Sequence, residues 1–180
     1  MVLVVPKVGS FFKVTLNSTT RDLASTAKEA YNATVMTGKV HRLVYDLSEQ
    51  NFWVEVGPAD VLLDTAESKE KEERKKRQQK EKEGPPVSEF VLAKTISRKK
   101  VSLPRGVEFQ DIVTEQSPEP IKEGLAYTHF FPHGISEQTL IHIKDNSEHQ
   151  ITLLISPVLA RTRLYERRVE AKEAYETKSR

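Results

Sequence analysis

At 180 residues, of which 30% are charged and 37% hydrophobic, the chain is long enough for one domain with a proper core and has polar sequence left over for appendages. A formal charge of +2 is close to balance and supplies no global electrostatic argument for binding nucleic acid. The absence of cysteine removes disulfides and thiolate metal sites together, and fits either redox compartment.

The first five residues are apolar but far short of the roughly 20 needed to span a bilayer, and they carry no charged n-region or cleavage site. Read alone, they are a strand or a frayed terminus. Val8, Phe11, Phe12 and Leu16 then recur at helical spacing. Asn17, Ser18, Thr19 and Thr20 form a helix-weak patch, where a shorter helix could begin at Arg21, capped by Thr19 or Thr20, and run to about Thr37. Leu16, Leu23, Ala27 and Ala30 or Tyr31 share one face, while Arg21, Asp22, Lys28 and Glu29 fall elsewhere. Gly38 is placed to stop the helix as a left-handed C-cap.

After Gly38 the period changes. Val40, Leu43, Val44, Tyr45 and Leu47 make a β-rich run, residues 48–51 are polar, and residues 52–56 return as a second run, which predicts a hairpin with a four-residue loop. One helix packed across the start of an antiparallel sheet buries both apolar faces, with Leu23, Ala27, Tyr31, Leu43, Tyr45 and Trp53 as the helix–sheet core. Gly57 and Pro58 break the strand. Residues 67–83 carry eight basic and six acidic residues and no apolar one. Glu67 with Lys71, Glu70 with Arg74, Glu72 with Lys76 and Glu73 with Arg77 are i, i+4 pairs that bias the segment toward a solvated helix. It reads as a flexible, partly helical insertion in preference to a nucleic-acid arm, because the signs alternate and no aromatic is interleaved for base stacking.

Strands are expected again over 89–97 and 107–114, with 98–104 between them and a turn at Arg105 and Gly106. Residues 116–121 hold Pro118 and Pro120 and form a loop. Residues 124–131 and 140–145 are expected to pair as a hairpin around Pro132, His133 and Gly134, and 150–156 to follow a turn at 146–148. Residues 164–175 are helix-forming with one thin apolar edge, which predicts a partly detached C-terminal helix. The fold class is α+β: an N-terminal helix on an antiparallel meander of about four to seven strands, with a charged insertion and a short C-terminal helix. Its divisions are 1–37 for the helix, 38–165 for the β-rich domain with the insertion at 64–86, and 166–180 for the tail.

Little in the chain carries chemistry. There is no Gly-rich phosphate loop, Gly-x-Ser-x-Gly elbow or His-Glu-x-x-His pattern, so no catalytic residue, cofactor or metal is assigned. If Phe131 pairs with Leu140, His129 lies opposite His142, and two imidazoles about 5 Å apart could share a metal. No third ligand is evident, and a half-exposed pair of sheet histidines is the favoured reading. His41, His133 and His149 have no nameable partner. Arg42 and Asp46 share a strand face and suggest a structural ion pair.

A family resemblance rests on Asp22, Leu23, Ala30, Thr37-Gly38-Lys39, Arg42-Leu43-Val44-Tyr45-Asp46-Leu47 and Phe52-Trp53-Val54-Glu55-Val56. It continues through Leu103-Pro104-Arg105-Gly106-Val107, Glu123-Gly124-Leu125-Ala126-Tyr127, Phe130-Phe131-Pro132-His133-Gly134 and Ile141-His142-Ile143. In these stretches the chain resembles the type IV pilin-like proteins, above all the H-type minor pseudopilins of type II secretion systems and the related minor pilins. The resemblance implies a long N-terminal helix whose first half is a membrane anchor, preceded by a leader. Val2 to Val5 and Pro6 would be the tail end of that anchor, and the cleavage motif and the family's glutamate are missing, so a truncated front is expected. It also implies a non-enzymatic subunit of a filament at the inner membrane and in the periplasm. Val8, Phe11, Phe12 and Leu16 would be its assembly helix, other pilin-like subunits its partners, and a secreted substrate a further one. A nucleic-acid-binding module using 67–83 and 161–168 is the less favoured alternative. Where the family has a glycine before a last strand, Pro157, Val158, Leu159, Ala160 and Arg161 offer alanine, which puts the turn geometry in question.

Overall fold

The computed structural model describes residues 8–58, 90–117 and 119–176, with side chains from Val14 to Ala174 inside those ranges. Helix α1 (Val8–Thr37) runs unbroken for 30 residues, about 45 Å at 1.5 Å per residue. The expectation of a shorter helix capped at Thr19 or Thr20 is therefore corrected. Those hydroxyls do not cap; they donate back to the carbonyls of Thr15 and Leu16 at 2.9 and 2.8 Å. Thr34 bonds in the same way to Ala30 O at 2.9 Å. A hydroxyl satisfied by its own helix permits a weak helix former inside it. Gly38, at φ 66°, closes the helix by donating its N–H to Thr34 O at 2.9 Å, the left-handed stop the sequence indicates.

Among the described residues, ten antiparallel strands form two sheets. The first contains β1 (His41–Asp46), β2 (Asn51–Val56), β3 (Val91–Leu92), β4 (Val101–Ser102), β6 (Leu125–Phe131) and β7 (Ile135–Ser136) in the order β3-β2-β1-β6-β7, with β4 also on β2. The second has the order β10-β9-β8-β5 and is built from β5 (Val107–Thr114), β8 (Thr139–Asp145), β9 (Gln150–Ile155) and β10 (Thr162–Tyr165). A short helix, α2 (Ala171–Glu176), ends the described chain. An N-terminal helix packed on antiparallel sheets is the α+β architecture expected. The single meander is not. Strand β6 pairs along its length with β1, His129 opposite Arg42, and only Phe130 and Phe131 turn back onto β7. The chain then changes sheets, so residues 140–145 do not pair with 125–131. A meander assumes that successive strands pair, but the β1–β2 hairpin left one edge of β1 open to a distant strand.

Helix α1 lies against both sheets. Leu16, Leu23, Ala27, Ala30 and Tyr31 meet Leu43, Tyr45, Phe52 and Val54 from the first sheet and Ile112, Ile141, Ile143, Leu153 and Ile155 from the second in one continuous core. Each large aliphatic side chain buried this way is worth about 1.5–3 kcal/mol. Trp53, expected there, is buried but alternates onto the opposite face of β2 with Glu55. Its indole N–H donates to Glu55 at 2.8 Å and Lys100 lies 3.9 Å over the ring.

Smaller corrections follow from local geometry. The first loop has four residues, but they are 47–50, since Asp46 faces Asn51. Residues 89–97 were expected as one strand; after β3 the chain turns, Ser97 donating its N–H to Ala93 O at 2.8 Å. Arg42 and Asp46 form no ion pair, being about 13 Å apart at four strand residues. Arg42 instead pairs with Glu55 across the hairpin at 2.7 Å, and Asp46 accepts the N–H of Glu49 at 2.9 Å in the loop. The turn before β10 forms without glycine, Leu159 and Ala160 taking φ of 59° and 44°. Leu164 and Tyr165 end a strand, α2 begins only at Ala171, and the tail is docked: Val169 and Ala174 pack with Val113, Leu140 and Leu154 as a second core. The insertion at 64–86 lies outside the described residues.

Candidate interaction surfaces

Among the described residues, the early part of α1 divides sharply. Leu16 is fully buried, whereas Val14, two residues before it, is 69% exposed. Leu16 therefore belongs to the domain's own core and not to an assembly surface, because its side chain turns toward Ile151 and the second sheet. Val8, Phe11 and Phe12 lie on the same helix, with side chains outside the description. No described helix is long and apolar enough to cross a membrane.

The outer face of the first sheet joins charge to aromatic rings. The Arg42 guanidinium lies between Phe90 and Tyr127, 3.9 and 4.4 Å from the ring centres, while its Nε donates to Glu55 at 2.8 Å. His129 packs beside Phe90, Tyr127 and Phe131 and donates from Nδ1 to Glu137 at 2.9 Å. Gly57 is essential to this layer, since a Cβ there would stand 2.7 Å from the Phe90 ring.

The outer face of the second sheet holds a buried polar clasp. A bulge in β5 between Phe109 and Asp111 sets Asp111 opposite His142; without the extra residue, Asp111 would follow Val107 and Phe109 toward the core. His142 Nδ1 meets Asp111 at 2.5 Å and Nε2 meets Val169 O at 2.9 Å. Both ring nitrogens thus face acceptors. Arg168 donates to the other Asp111 oxygen at 2.8 Å, and Thr152 donates to Arg167 O at 2.8 Å while accepting the Val169 N–H at 3.0 Å. Burial alone would push the Asp111 carboxyl up, but the bonds and charges of His142 and Arg168 outweigh it and hold it below its ordinary value. The result is an Asp–His pair with no nucleophile, since a carbonyl occupies the second ring nitrogen.

The paired histidines expected from sequence are thus in different sheets and share nothing. His41 bonds to Thr34 Oγ1 at 3.0 Å, and burial pushes its imidazole down. His149 meets Asp145 at 2.9 Å, and His133 is exposed in its turn. Among the described residues no cluster of three His, Asp or Glu could hold a metal. Neither the clasp nor the sandwiched Arg42 was legible beforehand, because each is made by long-range pairing. The one local clue was the strand position of Asp111, a charged residue in an otherwise core-like run.

No family model matches the chain, and no curated protein does. Among solved structures, it is similar to the minor pseudopilin EpsH from the Type 2 Secretion System of Vibrio cholerae, with 9% identity, a TM-score of 0.49, and coverage of 84% of this chain and 96% of that one. At that identity and TM-score the likeness carries no function across.

Proposed function

We propose that the chain is a non-enzymatic, minor-pilin-like subunit that assembles with other pilin-like subunits through the front of α1 and acts in the periplasm, close to the inner membrane. The observation that carries this reading is the division of α1. From Leu16 onward one face is spent on the domain's own core, yet the helix continues back to Val8 with Val14 exposed. A helix that continues ahead of its last core contact with an apolar residue such as Val14 exposed has surface for neighbouring helices. The motifs that resemble the pilin-like proteins point the same way. The nucleic-acid alternative has less support at 161–168, where Arg167 is engaged by Glu173, and Arg168 by Asp111 and Glu170; its basic residues at 67–83 lie outside the described residues.

The chain has no cysteine, so single cysteines report contacts cleanly. Phe11→Cys and Val14→Cys, expressed in cells that hold a complete pilin-like system, should give disulfide-linked species with other subunits of that system. Lys39→Cys, beyond the far end of the helix, should not. Absence of any cross-link from both front positions would refute assembly through α1.

A further inference from the structure

A second surface points to a partner by its chemistry. Between the end of β5 and the start of β6 lies a cavity of about 270 Å³, walled by Ile121, Leu125 and Tyr127, with Thr114 and Ser117 at one side and Glu137 among its lining residues. That is just below the roughly 300–1,000 Å³ of small-molecule pockets and suits one side chain. Glu137 is only 2% exposed. Its Oε2 accepts the His129 N–H at 3.2 Å and the His129 ring at 2.9 Å. Oε1 has no hydrogen-bond partner among the described residues and is not fully enclosed, and the residue that carries it lines the cavity.

A buried carboxylate left half-satisfied is costly unless a donor or cation completes it. The walls define what kind. Ile121, Ala126 and the half-exposed Leu125 offer apolar surface suited to an aliphatic stem, as lysine and arginine present behind their charged heads. The adjoining segments are mostly acidic, with Glu115, Glu119 and Glu123 exposed beside Lys122, and the Arg42 guanidinium over the Tyr127 wall is paired with Glu55. We infer that this cavity is a recognition pocket for a single lysine or arginine side chain of a partner protein, its stem against Ile121 and Leu125 and its head on Glu137 Oε1. The pocket sits at the junction of the sheets and not on α1, so it stands whether or not the chain assembles through its helix.

The test uses Nα-acetyl-arginine amide and Nα-acetyl-lysine amide, with the uncharged Nα-acetyl-citrulline amide as control, titrated into the 15N-labelled chain. Saturable shifts are expected at the amides of Ser117, Tyr127 and Glu137, with a dissociation constant on the order of 1 mM. Citrulline should be silent. Glu137→Gln should weaken binding at least about tenfold, and so should Leu125→Lys, which places a competing ammonium at an exposed position and leaves the buried carboxylate in place. The assignment is overturned by no saturable shift with either cation, by an equal response to citrulline, or by undiminished affinity in either folded variant.

Discussion

Asp111→Asn isolates the electrostatics of the C-terminal clasp, because it keeps the shape of the side chain and removes its charge. The Asp111 side chain is 3% exposed and that of His142 2%, so no water replaces the bonds that the carboxylate accepts from His142 and Arg168. Arg168, at 28%, is partly screened and contributes less. Breaking one partner of a buried pair costs about 3–5 kcal/mol; with that discount the expected loss at pH 7 is about 3 kcal/mol. For a domain of this size each kcal/mol moves the midpoint by about 2–4 °C, giving a drop of roughly 6–12 °C. Urea unfolding of both proteins across pH measures it. The folded carboxyl lies below its ordinary 3.8, so its stabilising contribution is complete above about pH 5 and is lost as pH falls through 3.8 toward the lower folded value. The gap between wild type and variant should therefore narrow below pH 4. A gap under about 0.5 kcal/mol at pH 7, or one that stays constant down to pH 3, would show that the carboxylate's charge does not hold the clasp together.

Three further outcomes follow from single contacts. Leu16→Ala should destabilise by about 2–5 kcal/mol as a core truncation, while Val14→Asp should change stability by less than about 0.5 kcal/mol; comparable losses would mean that α1 packs on the domain one turn earlier than it does here. Gly57→Ala drives a methyl into the Phe90 ring and should cost about 1–3 kcal/mol, with altered shifts for Arg42 Nε and Tyr127. Leu159→Gly relieves a left-handed backbone at a residue that is 42% exposed and should raise the midpoint by the equivalent of about 0.5–1 kcal/mol; a fall would mean that the leucine's contacts outweigh the strain.

The elements whose cause is local were legible in the sequence. The 3.6-residue spacing of Leu16, Leu23, Ala27 and Tyr31 fixed the buried face of α1, Gly38 fixed its end, and β-rich apolar runs bounded by turns located β1, β2, β5 and β9 to within a residue or so, since each depends on neighbours a few positions away. Tertiary structure alone decided which strands share a sheet, because the apolar pattern of Leu125–Phe131 suits β1 and β8 equally and only the packing of one helix against two sheets chooses between them. It also decided the sites. A one-residue bulge turned Asp111 from the core to His142, and a change of sheet at Glu137 left a half-bonded carboxylate on a residue that lines a cavity. Period-2 patterns assign residues to faces, and a single inserted residue or a switch of sheet reverses the assignment without leaving a mark in local sequence.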